Sequence, residues 1–158
     1  FTDILSSALR RTRNLMSKVR VERDLEENFP LLFVHPALIE QALVNVLENA
    51  AKFAPDDSTL SIRAQRKGDE LIIAISDEGP GIPEDQRGQV FDMFFTGGEG
   101  DRGPHGSGLG LAICHGMVAA HGGRIQALAG PNGIGATIEI ALPLIESPEQ
   151  ESNREASE

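Results

Sequence analysis

Two asparagines four residues apart, Asn45 and Asn49 in the stretch NVLENAAKF, place two amides on one face of a helix. Their oxygens suit a hard cation such as magnesium and the phosphate groups around it. Further along, DEGPGIP (residues 77–83) closes an apolar run with the carboxylate of Asp77 and then turns on Gly79 and Gly81. A third stretch, HGSGLGLAI (residues 105–113), sets Gly106, Gly108 and Gly110 just before an apolar helix, where free backbone N–H groups can meet phosphate oxygens. A carboxylate for a base, an amide pair for a metal and a glycine loop for phosphates together read as an ATP site. The glycine spacing departs from GxGxxG, and a loop rather than a strand precedes it, so the dinucleotide fingerprint is not met.

At these residues the chain resembles the catalytic, ATP-binding domain of sensor histidine kinases, within the wider gyrase/Hsp90/histidine-kinase/MutL group of ATPases. Asn45-x-x-x-Asn49-x-x-Lys52-Phe53 is similar to that family's N box, and Asp77-x-Gly79-x-Gly81 to its G1 box. Phe91-Asp92-Met93-Phe94-Phe95 stands where its F box stands, and Gly106-x-Gly108-x-Gly110 matches its G2 box. In wording, LENAAKFAP, FFTGGEGDRG and GLGLAIC look most like the potassium-sensing KdpD-type kinases.

The resemblance implies roles residue by residue. Asn49, with Asn45, holds the magnesium that bridges the phosphates, and Lys52 reaches a phosphate. Phe53 lies against the adenine, and Asp77 accepts its amino group. Gly79 and Gly81 carry the backbone under the base, with Ile82 beside them. Gly106, Gly108, Leu109 and Gly110 form the phosphate-side loop, and Thr137 supplies a hydroxyl near the adenine. Plainer readings stand alongside: Lys52 as an exposed cation, Phe53 as an apolar helix end, and Thr137 as an ordinary β-branched strand residue.

Asn45 occupies the position where the gyrase and Hsp90 branches carry a water-activating Glu. An amide has no proton-accepting form near neutral pH, which favours phosphoryl transfer to a side chain over brisk hydrolysis. Two departures from the pattern matter. The arginines that many family members carry around the F box are replaced by Gln89 and Thr96, leaving Arg102 or Arg87 as candidate substitutes to offset phosphate charge. None of His35, His105, His115 and His121 stands in the context of a phosphoacceptor, nor do the four show metal spacing.

The expected activity is therefore that of a protein histidine kinase domain using ATP and Mg2+, catalysis resting on Asn45, Lys52 and Arg102. Its expected partners are a dimerisation helix bearing the acceptor histidine, outside this chain, and a response regulator. The expected location is the cytoplasmic side of an inner-membrane sensor whose membrane segments also lie outside the chain. A degenerate ATP-dependent switch and an anti-sigma-type serine/threonine kinase are the alternatives.

Composition narrows the field. At 158 residues the chain is long enough for one domain with a real core, and its hydrophobic fraction of 40% is ordinary. A net charge of −10 argues against a nucleic-acid surface, which needs clustered Lys and Arg. Residues 146–158 hold five Glu against one Arg, so residues 144–158 read as an acidic, disordered tail beyond a domain of residues 1–143. The opening Phe1 reads as the start of a piece of something longer. The lone Cys114 reads as a packed core thiol in a reducing compartment.

The elements that must position these residues follow from periodicity. A helix is expected over Phe1–Leu15, a strand over Lys18–Leu25 and a short one over Leu31–Val34. Pro36 opens a long amphipathic helix that ends before Pro55. Leu60–Arg66 and Glu70–Ser76 form a hairpin around Lys67-Gly68-Asp69. A short helix over Glu84–Val90 precedes a glycine-rich loop, Thr96–Gly106, read as a mobile lid. Leu109–His121 is a helix stopped by Gly122-Gly123, and Arg124–Leu128 and Ala136–Leu142 are closing strands. The fold expected is a two-layer α/β sandwich, a mixed sheet with helices on one face.

Overall fold

The computed structural model describes residues 1–26, 32, 34–93 and 109–144. Three helices, α1 (Thr2–Arg11), α2 (Pro36–Phe53) and α3 (Gly110–Ala120), accompany strands β1 (Arg20–Leu25), β2 (Thr59–Lys67), β3 (Glu70–Ser76), β4 (Arg124–Ala129) and β5 (Ala136–Pro143). The strands form one sheet in the order β1-β2-β3-β5-β4. Only the β1–β2 pair is parallel, and α2 makes the crossover it requires. The mixed α/β sandwich is thus the architecture expected from the periodicity.

Strand alternation sorts the sheet into two faces. Leu60 and Ile62 of β2, Leu71, Ile73 and Ile75 of β3, and Ile138, Ile140 and Leu142 of β5 are buried in one cluster with the helices. Ile39, Leu43, Val46, Leu47 and Ala50 cover them from α2, Cys114 and Val118 from α3, and Leu5 and Ala8 from α1. Burying each such aliphatic side chain contributes about 1.5–3 kcal/mol. The opposite face carries Arg63, Gln65, Ala74, Ser76, Thr137 and Glu139.

Local chemistry sets the helix ends. Pro36 occupies the first turn of α2, where its missing N–H would have been unpaired anyway. At the other end Pro55 holds Ala54 in an extended conformation (φ −70°, ψ 131°), and the helix stops at Phe53. At the end of α3, Gly122 adopts φ +71°, its N–H bonds the Ala119 carbonyl, and the Gly123 N–H bonds the Val118 carbonyl. That is a Schellman stop, made by the glycine pair the sequence put there.

Two polar ties hold α3 against α2. The Asn45 amide nitrogen donates to the Gly110 carbonyl (3.1 Å) at one end of α3. At the other end His121 Nδ1 lies 2.7 Å from the Met117 carbonyl and Nε2 lies 3.0 Å from the His35 N–H. A carbonyl only accepts, so Nδ1 carries the proton and Nε2 takes the His35 N–H.

Three element boundaries differ from the sequence reading. The first helix ends at Arg11, where the Thr12 hydroxyl turns back onto the Ala8 carbonyl (3.0 Å), and Leu15 opens a separate 3-10 turn, Leu15–Lys18. The expected helix over Glu84–Val90 shrinks to a 3-10 turn at Glu84–Gln86. Of the expected strand Leu31–Val34, residues 31 and 33 lie outside the described residues, and Leu32 and Val34 belong to no strand. The Thr96–Gly106 loop and all but Leu144 of the acidic tail also lie outside them.

Candidate functional site

Asp77 follows directly on β3, and its N–H bonds the Ala136 carbonyl (2.9 Å), so the ladder runs one step past the strand. Alternation turns its side chain to the helix face, the face of Ile75 and Ile138. The residue is only 7% exposed, yet it is a carboxylate. One oxygen accepts the Gly79 N–H (2.8 Å). Among the described residues no buried side-chain polar atom lacks a partner. Burial raises the carboxyl above its ordinary value, and backbone hydrogen bonds from Gly79 and Ala136 oppose the shift.

Glycines let three chain segments meet at this carboxylate. A Cβ on Gly79 would stand 2.6 Å from the Phe53 carbonyl, so the turn after Asp77 rests on the last residue of α2. Gly81 (φ +77°) faces the Gly135 carbonyl, and Gly135 (φ +73°) would drive a Cβ to 1.8 Å from the Asp77 carbonyl. Asp77, the end of α2 and the start of β5 are thereby drawn together as side-chain-bearing residues could not be.

The N-box residues run along α2 toward this point. Asn49 is half-buried, and its amide makes no hydrogen bond among the described residues, which leaves its oxygen free for a ligand. Lys52 is exposed, with its ammonium 5.3 Å from the centre of the Phe53 ring, a cation–π contact. Phe53 and Ile82 are half-buried, as is Leu109 at the mouth of α3. At Gly110 an added Cβ would meet nothing within 4 Å among the described residues.

Two site residues stand differently from the sequence expectation. Asn45 is buried and doubly engaged: its oxygen accepts from Gln41 Nε2 (2.8 Å) while its nitrogen holds Gly110. Its amide ties helices together, where a metal ligand was expected. Thr137 pairs directly with Ser76 across β3 and β5, on the face away from the helices, and the two hydroxyls lie 2.7 Å apart. A one-residue step reverses the face of a strand, so Ala136 stands opposite Asp77 and the Thr137 hydroxyl points away from it. Gly135 and Ala136 are the site residues that sequence reasoning passed over, although a glycine just before the last strand was the signal for them. Arg102, Gly106 and Gly108 lie outside the described residues, as do Phe94 and Phe95 of the F box.

A nucleotide fits these residues, since a buried carboxylate stands at one end of α2 and the Asn45 tie holds the start of α3 farther along the same helix. Magnesium fits Asn49 as a single neutral oxygen ligand, the remaining positions falling to phosphates and water. No cluster of three or more His, Cys, Asp or Glu able to cage a metal occurs among the described residues.

Comparison with known proteins gives this geometry its family. Residues 34–146 match the family described as histidine kinase-, DNA gyrase B- and HSP90-like ATPase. The chain is 37% identical over 142 residues to the sensor protein KdpD of Clostridium acetobutylicum, covering 89% of this chain and 16% of that protein. It is 35% identical over 138 residues to the adaptive-response sensory kinase SasA of a Nostoc species, covering 87% of this chain and 34% of that one. The chain thus spans a minor part of the length of these relatives. Among solved structures it superposes on a mycobacterial sensor histidine kinase, MprB, with TM-score 0.81 and 32% identity, covering 90% of this chain and 94% of that one. The chain belongs to the histidine kinase-, DNA gyrase B- and HSP90-like ATPase family, and within it is an ATP-binding catalytic domain of the sensor histidine kinase kind.

Proposed function

We propose that this domain binds Mg·ATP and presents the γ-phosphate to a histidine on a dimerisation helix outside the chain, from which an aspartate of a response regulator receives it. The observation that carries this reading is Asp77, a buried carboxylate held by Gly79 where β3, the end of α2 and the start of β5 meet. Its carboxylate accepts the adenine amino group. Asn49 is the protein oxygen on magnesium, and Lys52 meets a phosphate from the same end of α2. The tie between Asn45 and Gly110 holds the start of α3 toward the phosphates, and Arg102 is the candidate charge from the loop before it. Magnesium, when bound, neutralises phosphate charge and orients the transferred group. Two named relatives, the sensor protein KdpD and the sensory kinase SasA, are of near-equal identity to this chain, which supports shared chemistry rather than one stimulus. The setting proposed is the cytoplasmic side of a membrane sensor; no helix among the described residues is long and apolar enough to cross a membrane.

Calorimetric titration tests the site. ATP and ADP should bind at comparable strength, and GTP at least about ten-fold more weakly, since its carbonyl would oppose Asp77 and leave a buried acceptor unpaired at a cost of ~1–3 kcal/mol. Equal affinity for GTP would remove the adenine assignment. Asn49→Ala should abolish the magnesium dependence of ATP binding; a variant that keeps it shows that the metal is held elsewhere.

A further inference from the structure

Between the turn carrying Phe91, α3 and β4 lies an open cavity of about 350 Å³, lined by Arg87, Phe91, Asp92, His115, Ile125 and Gln126 among others. None of Asn45, Asn49, Lys52, Asp77, Gly79 or Gly110 lines it, and of the residues considered for the nucleotide site only Arg87, one candidate for offsetting phosphate charge, does. Its volume falls in the range of small-molecule sites, about 300–1,000 Å³.

The lining has a definite chemistry. Phe91 and His115 form a tilted aromatic pair, ring centres 5.9 Å apart at 32°, and Ile125 and Ala127 add apolar wall from β4. Arg87 is half-buried, and its Nε is fixed on the Ile82 carbonyl (3.1 Å). Among the described residues no carboxylate lies within 4 Å of it, although Asp92 lines the same cavity. A guanidinium anchored through Nε keeps its two terminal nitrogens as a planar fork, the geometry that takes a carboxylate in bidentate fashion. Asp92 adds a negative charge to the lining, which opposes a dianion such as a phosphate monoester more than a singly charged acid.

We propose that this cavity is a second ligand site, for a small planar aromatic monocarboxylate whose ring lies against Phe91 and His115 and whose carboxylate is gripped by Arg87. Such a ligand bridges the turn carrying Phe91 to α3, and α3 is tied through Gly110 to the helix bearing Asn49.

Benzoate is the probe, with benzamide and phenyl phosphate as its neutral and dianionic counterparts. It is titrated into the whole chain at saturating Mg·ATP and followed by NMR at the His115 ring and the Ile125 methyls. Saturable benzoate binding is expected, with benzamide and phenyl phosphate each at least about ten-fold weaker and Arg87→Gln costing benzoate a similar factor. Gly88→Leu adds bulk on a lining residue, at a position where an added Cβ meets nothing within 4 Å among the described residues, and it should abolish binding while the melting temperature holds. Benzamide binding as well as benzoate, or Gly88→Leu binding like the parent, overturns the site, as does the absence of saturable shifts. Benzoate binding to the nucleotide-free chain that is lost at saturating Mg·ATP would place it in the nucleotide pocket and overturn the proposal while leaving the adenine assignment intact.

Discussion

Asp77 shows how one residue can be read from sequence and still hold something back. A carboxylate directly after LIIAIS has little structural reason to be buried there, so type and position mark it as a candidate site residue, while its proposed role comes from the family resemblance. Its environment was not legible, because it depends on Phe53 and Ala136, which are remote in sequence. Since burial raises its value above the ordinary 3.8, the folded chain in the window just above that pH holds a proton the unfolded chain has released. Stability from this group therefore falls as pH rises through the window, and the ionised form is carried at neutral pH at a cost to the fold. Asp77→Asn keeps an acceptor for Gly79 and removes the charge. At pH 7 its melting temperature should match or exceed that of the parent while ATP affinity falls at least about ten-fold. A clear drop in melting temperature would show that the carboxylate serves the fold. Parent ATP affinity should itself weaken as pH is lowered through the raised value, because only the ionised carboxyl is a pure acceptor. Cys114 was equally legible: it is fully buried, and burial alone pushes its thiol up to about 12, as a packed core residue requires. Thr137 marks the limit at this scale, since a one-residue offset in a strand cannot be seen without its partner.

Among the elements, α2, the β2–β3 hairpin and α3 were readable because each carries its own punctuation: Pro36 and Pro55, Gly68, and the pair Gly122-Gly123. The ends of the first helix and of the Glu84 turn were not, because apolar spacing continues past the point where Thr12 and the local turns break the helix. The loop between β4 and β5 was read as a turn on Gly130-Pro131-Asn132-Gly133, but its critical residue is the next glycine. Gly133 and Gly135 share a positive φ (74° and 73°), yet a Cβ would meet nothing within 4 Å at the first and the Asp77 carbonyl at 1.8 Å at the second. Gly133→Ala should cost only the left-handed conformation, roughly 1–2 kcal/mol. Gly135→Ala should cost distinctly more and weaken ATP binding as well, because Asp77 must move. Thermal melts of the two variants that coincide would show that the contact relaxes without loss.

For the whole molecule, the fold class was set by alternation of strand and helix periods, whereas the meeting of β3 with β5 was hidden by the chain between them. Two of the histidines are engaged within the domain, in keeping with the proposed transfer outside the chain: His121 uses both ring nitrogens in its helix tie, and His115 lies against Phe91. Incubated with γ-labelled ATP, the chain alone should gain no acid-labile phosphate. A supplied dimerisation-helix domain with an acceptor histidine should gain it, and label that survives acid would point to a serine/threonine kinase instead. The pairing of β3 with β5 also has a kinetic side. Ser76 and Thr137 are partners across 61 residues of chain, and Asp77 takes its place only when that pair has closed. Contacts of such long sequence separation form late, after the local helices and the β2–β3 hairpin. Refolding chains should regain helical circular dichroism before they regain the ability to bind a fluorescent ATP analogue, and simultaneous recovery would contradict this order. A nascent chain would accordingly be blind to ATP until its final strand is laid down, so cellular nucleotide can reward only the finished domain and offers no help to its precursors.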